Sequence, residues 1–346
     1  MKLRASGVDT WSPSWYVEPD GDAAKAMTAL AVQPTRRGSL IPEPIDGYRV
    51  GWFPASKLVY AEGHPGGDEL GAPDELPERL AALEGAMGDV GIALPKGKAK
   101  EAWMPGDEPR PGLAGVRRLD LTVDLEAPDG ATGLAVLAGI GALEPSRLQP
   151  SVRRGKGTRA VETVTWHAAR GIAARAYDKG VEAGTAPRGE RIRLEAQYRW
   201  GQGHRRDPDE LTADYVRSKF VARFAPLWKA SENVKVVGVM SIPQKLHEAL
   251  EAGDITPNQA DRILGYVVMQ ASGLPSHHKQ RTAERRRAEL RQLGLVAADG
   301  VLEEREVDLH SLLEEIMDYG WAPLGDAPED GPVQPAHPVS EARTPS

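Results

Sequence analysis

Apolar and polar positions alternate with a period of two in three central segments of the chain. In VRRLDLTVDLE, Leu119, Leu121, Val123 and Leu125 fall on one face, and Arg118, Asp120, Thr122, Asp124 and Glu126 on the other. In RIRLEAQYRW, Ile192, Leu194, Ala196, Tyr198 and Trp200 oppose Arg191, Arg193, Glu195, Gln197 and Arg199. Between them, ETVTWH and IAARAYDK read as a hairpin whose second strand carries Arg175, Tyr177 and Lys179 on one face. The first sixty residues, with VDTWSPSWYV and GYRVGWFPASKLVYAEG, are also strand-like. PERLAALEGAM predicts a short helix, and DGATGLAVLAGIGAL a turn followed by a helix packed through small residues.

After Gly203 the period changes to three or four. DPDELTADYVRSKFVARFAPLW predicts a helix with Asp207 as N-cap, Pro208 in the first helical position and Glu210 at the capping-box position. IPQKLHEALEAGD predicts a second helix. TPNQADRILGYVVMQASG predicts a third, with Thr256, Pro257 and Gln259 repeating the start signal. SHHKQRTAERRRAELRQLGL predicts a fourth, closed by Gly294, followed by a short hairpin in VAADGVLEEREVDL and a last helix in HSLLEEIMDYGW. The expectation is an α+β chain. An antiparallel-sheet core over residues 1–205 precedes a helical, winged helix-turn-helix domain over 206–322 and a disordered tail over 323–346.

Composition narrows the chemistry. The chain has 346 residues, 40% of them hydrophobic, enough for a packed core and two domains. No apolar run is long enough to span a bilayer, and MKLRASGVDT has no apolar stretch behind its basic residues, so a cytoplasmic, membrane-free protein is expected. Cysteine is absent, which excludes disulfides, zinc–thiolate sites and cysteine nucleophiles. The net charge of −7 hides an asymmetry: residues 147–206 hold fourteen Lys or Arg against five Asp or Glu, and residues 276–295 hold six against two. Local basic patches of this kind are what phosphate binding requires, whatever the total charge.

The stretch RAYDKGVE sets a tyrosine between two cations. A charged strand face ordinarily points to solvent, and opposite charges across strands contribute only ~0.2–1 kcal/mol per pair. If the strands are neighbours, however, Asp120, Asp124 and Glu195 share a face with Tyr177. Oxygen-only ligands of that kind suit Mg²⁺ or Mn²⁺, which polarises a phosphate. Ionising an ordinary tyrosine at neutral pH costs roughly 4 kcal/mol. Lys179, Arg175 or a metal ion would lower that cost.

RRLDLTVDLE, then VETVTWHAARGIAARAYDKGVE, then IRLEAQYR resembles the gene II-type replication initiators of filamentous phages and the related initiators of rolling-circle plasmids. The order Arg-x-Asp strand, ETVTW strand, Tyr-x-Lys-x-x-Glu and Arg-x-Glu strand is shared over about residues 117–199. The resemblance implies a metal-dependent DNA nicking and closing endonuclease that starts replication. Tyr177 would attack a phosphodiester, leaving a 5′-phosphotyrosyl link and a free 3′-hydroxyl. Asp120 and Glu195 match metal carboxylates, and Asp124 matches an acidic position found in part of the group. Lys179 would bind the scissile phosphate or lower the tyrosine pKa. Glu182 would act as base, complete the metal site or stand as a surface carboxylate. Arg118 and Arg193 would contact phosphate or pair across strands, and Arg175 joins them as a DNA-binding candidate.

Implied partners are origin DNA, duplex and single-stranded, with a host helicase and polymerase. With a single tyrosine in the motif, a second strand transfer would need a second protomer, as in a homodimer, or water. Lys279, Arg281 and Arg285 on the basic helix would approach duplex DNA, or form a solvated helix face. Trp166 and Trp200 suit core packing better than base stacking. The chain lacks the His-hydrophobic-His motif of other rolling-circle nickases, having only His277 next to His278. That disfavours a conjugative relaxase. A non-catalytic DNA-binding regulator on the same scaffold is the other alternative.

Overall fold

The computed structural model describes residues 1–36, 38–67, 69–99, 110–145, 148–154, 161–168, 171–201, 205–232, 234–271, 280–297 and 306–318. Lys279, the segment 298–305 of the expected hairpin and the expected tail lie outside them.

The N-terminal part runs β1 (Lys2–Tyr16), α1 (Asp22–Leu30), β2 (Gln33–Pro34), β3 (Ser39–Leu40), β4 (Arg49–Phe53), β5 (Leu58–Glu62) and α2 (Leu76–Asp89). Then follow β6 (Gly112–Glu126), α3 (Gly130–Ala142), β7 (Gln149–Arg154), β8 (Val161–Ala168), β9 (Gly171–Asp178), α4 (Lys179–Ala183) and β10 (Arg191–Arg199). The strands form one antiparallel ten-stranded sheet in the order β2-β3-β4-β5-β1-β6-β10-β9-β8-β7. The two 15-residue strands β1 and β6 lie side by side at its centre, flanked by β5 and β10.

The remaining elements are α5 (Ala213–Ala230), β11 (Lys235–Val237), α6 (Ile242–Ala252), α7 (Pro257–Ala271), α8 (Gln280–Gln292), β12 (Leu295–Ala297), β13 (Glu306–Asp308) and α9 (Leu309–Asp318). The first of these helices begins five residues later than its sequence suggests. Asp207 caps only a 3₁₀ turn over Pro208–Glu210, and Thr212 caps α5 by accepting the Tyr215 amide. Two competing caps lie close together, and Leu211 between them is buried, which anchors the break. The described ends of the expected hairpin over 296–309 do not pair with each other: β11 lies between β12 and β13, parallel to the first and antiparallel to the second.

The alternating faces explain the layering. Leu119, Leu121, Val123 and Leu125 of β6, with Leu194 and Ala196 of β10 and Trp166 of β8, are 0–1% exposed and belong to one core. α3 and α5 pack against these strands and put Val136, Leu137, Phe220 and Phe224 into the same core. Full burial of each large side chain contributes about 1.5–3 kcal/mol. The core continues into α9 through Leu309, Leu313 and Ile316, so residues on both sides of position 205 share it. A second cluster joins α6, α7 and α8 through Ile242, Leu246, Ile263, Tyr266 and Leu290.

Candidate functional site

The opposite face of the central sheet carries the candidate chemistry, and register decides what meets what. Directly opposed residues of antiparallel strands share a face. One row across β6, β10 and β9 is Asp124, Arg193 and Tyr177. The next is Thr122, Glu195 and Arg175, and the third begins with Asp120 and Gln197. β1 adds Thr10 opposite Asp120. Asp120, Glu195 and Tyr177, separated by up to 75 positions in sequence, are therefore brought together by three neighbouring strands.

This face is charged and yet dry. Asp120, Asp124 and Glu195 are 0–1% exposed. Arg175 and Arg191 form the outer layer, their side chains 31% and 22% exposed, while Arg193 is buried with the carboxylates. Each carboxylate has a guanidinium partner. Arg118 pairs with Asp120, Arg175 with Glu195, and Arg193 bridges Asp124 and Asp9. Arg193 Nε donates to Asp124 Oδ1 at 2.6 Å, and Arg191 Nη2 donates to Asp124 Oδ2 at 2.6 Å. Both candidate phosphate contacts, Arg118 and Arg193, thus pair across or along strands.

Two β-bulges add residues that alternation hides. A register shift between Val8 and Thr10 makes Asp9 an extra residue on β1, and its carboxylate reaches Arg193. A second shift, between Ser12 and Pro13, pairs those residues with Arg118 and Val116 and leaves Arg117 extra on β6. Neither signal is readable from the sequence, because a bulge breaks the period-two pattern only once.

Tyr177 is 7% exposed, and its hydroxyl donates to Glu195 Oε2 at 3.3 Å. Burial, reinforced by the Glu195 charge and opposed by Arg193, pushes its phenol well above the usual 10.0. The expected depression by adjacent cations is absent. β9 ends at Asp178, which caps α4 by accepting the Val181 amide at 3.1 Å, so Lys179 opens a helix rather than continuing the strand. Lys179 Nζ lies 6.0 Å from the Tyr177 ring centre and donates to Glu182 at 2.8 Å. Glu182 is half exposed and turned toward that lysine. The acceptor for the tyrosine proton is Glu195, a residue the sequence pointed to as a metal ligand.

The carboxylates differ in their protonation. Burial pushes Asp120 up to about 6 against the Arg118 hydrogen bonds, and Glu195 adds to the rise. Burial acts the same way on Asp124, but hydrogen bonds and charge from Arg193 and Arg191 outweigh it and hold Asp124 below 3.8.

Among the described residues no three His, Asp or Glu converge as a metal-binding group. Two carboxylates do approach each other. Gln197 Nε2 donates to Glu195 Oε1 at 2.6 Å and to Asp120 Oδ2 at 3.4 Å. Beside them, Gln197 Oε1 and Thr122 Oγ1 are buried without a hydrogen-bond partner. All four oxygens of Asp120 and Glu195 already accept hydrogen bonds, from Arg118, Arg175, Gln197 and Tyr177, so a hard divalent cation could be held here only by displacing some of these partners. Asp124, held by two arginines, does not belong to that set.

The remaining candidates lie elsewhere. Arg281 and Arg285 are exposed on α8, and Arg285 Nε donates to Glu289 at 3.2 Å. Trp166 is fully buried in the core, and Trp200 is half-buried and stacked on Tyr198 at 5.9 Å. Among the described residues no helix is long and apolar enough to cross a membrane.

The fold and site together define an α+β chain on a large antiparallel sheet whose charged face is buried. No family model and no curated protein matches it. Among solved structures, the heterotetrameric sarcosine oxidase from Corynebacterium sp. U-96 in complex with pyrrole 2-carboxylate is similar at 14% identity. The match covers 66% of this chain and 84% of that chain, with a TM-score of 0.23. A superposition of that quality carries no argument about fold or function.

Proposed function

We propose that the chain is a DNA-nicking replication initiator that uses Tyr177 as its nucleophile. The observation that carries this reading is the hydrogen bond from the Tyr177 hydroxyl to Glu195, on a face where Arg175 and Arg193 flank both groups. The tyrosine oxygen attacks the phosphorus, and the new O–P bond forms as the bond to the 3′-oxygen breaks. The phenolic proton passes to the Glu195 carboxylate, and the departing 3′-oxygen takes a proton from water. The products are a 5′-phosphotyrosyl link and a 3′-hydroxyl.

The high phenol pKa makes proton acceptance at Glu195 part of the attack, since a free phenolate is inaccessible at neutral pH. Arg175, on the outer layer of the face, is suited to neutralise the phosphate oxygens, with the buried Arg193 adding positive charge beneath it. With Glu195 serving as base, Asp120, Gln197 and Thr122 would be the residues to hold Mg²⁺ or Mn²⁺ once Arg118 yields Asp120, and the ion would supply charge stabilisation to the transferring phosphate.

α7 and α8 are assigned as a helix-turn-helix, with Arg281 on α8 directed at duplex DNA. The exposed basic side of α8 and its own apolar cluster with α6 and α7 support this. The order β12-β11-β13 departs from a wing hairpin. The assignment therefore rests on the helices.

The test is incubation with supercoiled origin DNA and Mg²⁺ or Mn²⁺. Nicked circles and a covalent protein–DNA adduct are expected with the native chain and neither with Tyr177→Phe. Equal nicking by Tyr177→Phe removes the proposal. Duplex binding without nicking by the native chain favours the regulator instead.

A further inference from the structure

The β-bulge at Arg117 builds a second feature on the charged face. Arg117 and Arg118, consecutive in sequence, both reach Glu62 on β5, at 3.6 Å and 2.7 Å. Arg117 is also laid over the Tyr60 ring, 4.5 Å from its centre, which fixes the plane of its guanidinium. Arg199 stands opposite Arg118 on β10. Among the described residues Arg199 forms no ion pair. These three arginines, with Glu62, Trp200 and Gly201, line a cavity of about 300 Å³ at the end of the polar face.

The charge there is unbalanced. Glu62 is shared by two arginines, and Arg118 is already committed to Asp120. Burial holds the Arg117 guanidinium below its usual range. Glu62 and Tyr60 oppose this, while Arg205 and Arg199 add repulsion. Two guanidiniums sharing one carboxylate and a third, Arg199, lining the same cavity without an ion pair, with Arg117 held on an aromatic ring, form a receptor for a phosphate group.

We infer that this cavity is a second phosphate subsite for the same DNA strand that Tyr177 attacks, an inference that rests on the proposed function. The Arg118–Arg199 pair lies six residues along β10 from Arg193, the cross-strand neighbour of Tyr177. At about 3.3 Å per residue the two sites are roughly 20 Å apart. A single strand laid across β9 and β10 passes Arg175, the cross-strand neighbour of Glu195, between them and anchors a phosphate several nucleotides from the scissile one. Short substrates reach Tyr177 but not the cavity.

The test is titration of labelled oligothymidylates, one of a few nucleotides and one several times longer, against the Tyr177→Phe protein. Fluorescence anisotropy is the readout. Arg199→Gln is the variant of choice, because among the described residues Arg199 makes no ion pair with another side chain. It is expected to weaken the long oligonucleotide about tenfold and to lower its salt dependence by about 0.7, while leaving the short one unchanged. Arg199→Lys is expected to recover part of the loss. Equal binding of the long oligonucleotide by Arg199→Gln and its parent overturns the inference, as does an equal loss for both lengths. Because this readout uses a variant without the tyrosine hydroxyl, failure of nicking and failure of the subsite are scored separately. A chain that never nicks origin DNA but shows the length-dependent loss keeps the subsite and loses the proposed function.

Discussion

Asp120 and Asp124 stand four residues apart on one strand, equally buried, yet their carboxyls are pushed in opposite directions. Asp124 meets two arginines through both oxygens, whereas Asp120 has one and also feels Glu195. Asp120 has a native pKa of about 6 against 3.8 for the ordinary carboxyl. The native state therefore binds the proton more readily between those values, and this residue contributes stability as the pH falls through that window. The contribution is on the order of 3 kcal/mol. Urea midpoints from pH 7 to pH 4 are expected to show this favourable trend in the native chain and to lack it in Asp120→Asn. Asp124 has the opposite sign: its stabilisation holds above 3.8 and is lost as the pH falls through its depressed native value. Asp124→Ala leaves Arg191 without its carboxylate and the buried Arg193 with Asp9 alone, and a loss of about 3–5 kcal/mol is expected by denaturant titration. For the nucleophile, Glu195→Gln keeps the shape of the acceptor but removes its basicity. Nicking is expected to fall by about 10²–10⁴-fold with DNA binding retained.

At the scale of elements, local signals held wherever one turn decides the outcome. Thr256 and Gln259 form a reciprocal capping box at the start of α7. The Thr256 amide donates to Gln259 Oε1 at 2.9 Å, and the Gln259 amide to Thr256 Oγ1 at 3.3 Å. Thr256→Ala is expected to cost about 1 kcal/mol in thermal or urea unfolding. Asp129 caps α3 without that reciprocity, accepting the Thr132 amide at 2.8 Å and the Thr132 hydroxyl at 3.0 Å. The signal misled at Asp207, where a second cap five residues on took the α-helix. Over 296–309, read as a hairpin, the described ends β12 and β13 pair with β11 rather than with each other. α1, which buries Ala23, Ala24 and Met27, lies in a region whose aromatic and β-branched residues read as strand throughout.

At the scale of the whole molecule, α3 is the joint. It packs on β8, β9 and β10 of the large sheet and also on β11 and β12 of the small one. Gly139 makes the second contact possible: a Cβ there would lie 2.2 Å from Val236 Cγ2 on β11. Gly139→Ala is expected to push the two sheets apart and lower stability by about 1–3 kcal/mol. The check is whether far-UV circular dichroism and tryptophan fluorescence, expected to coincide in the native chain, still report a single transition in the variant. Two separate transitions in the variant would show that this packing couples the sheet to the helical part.

The sequence by itself determined the alternation of β6, β8, β9 and β10, the helices from α5 onward and the charged set Asp120, Tyr177 and Glu195. Those features depend on the period of side chains along one strand or one turn, which is local physics. Tertiary structure alone decided that the charged face is dry, that every carboxylate meets an arginine, and that Glu195 rather than Glu182 faces the tyrosine. It also placed Asp9 and Arg117 on that face through bulges. These outcomes depend on the register between strands up to 184 positions apart and on burial, which reverses the expected pKa shift of Tyr177. No pattern along a single strand encodes either.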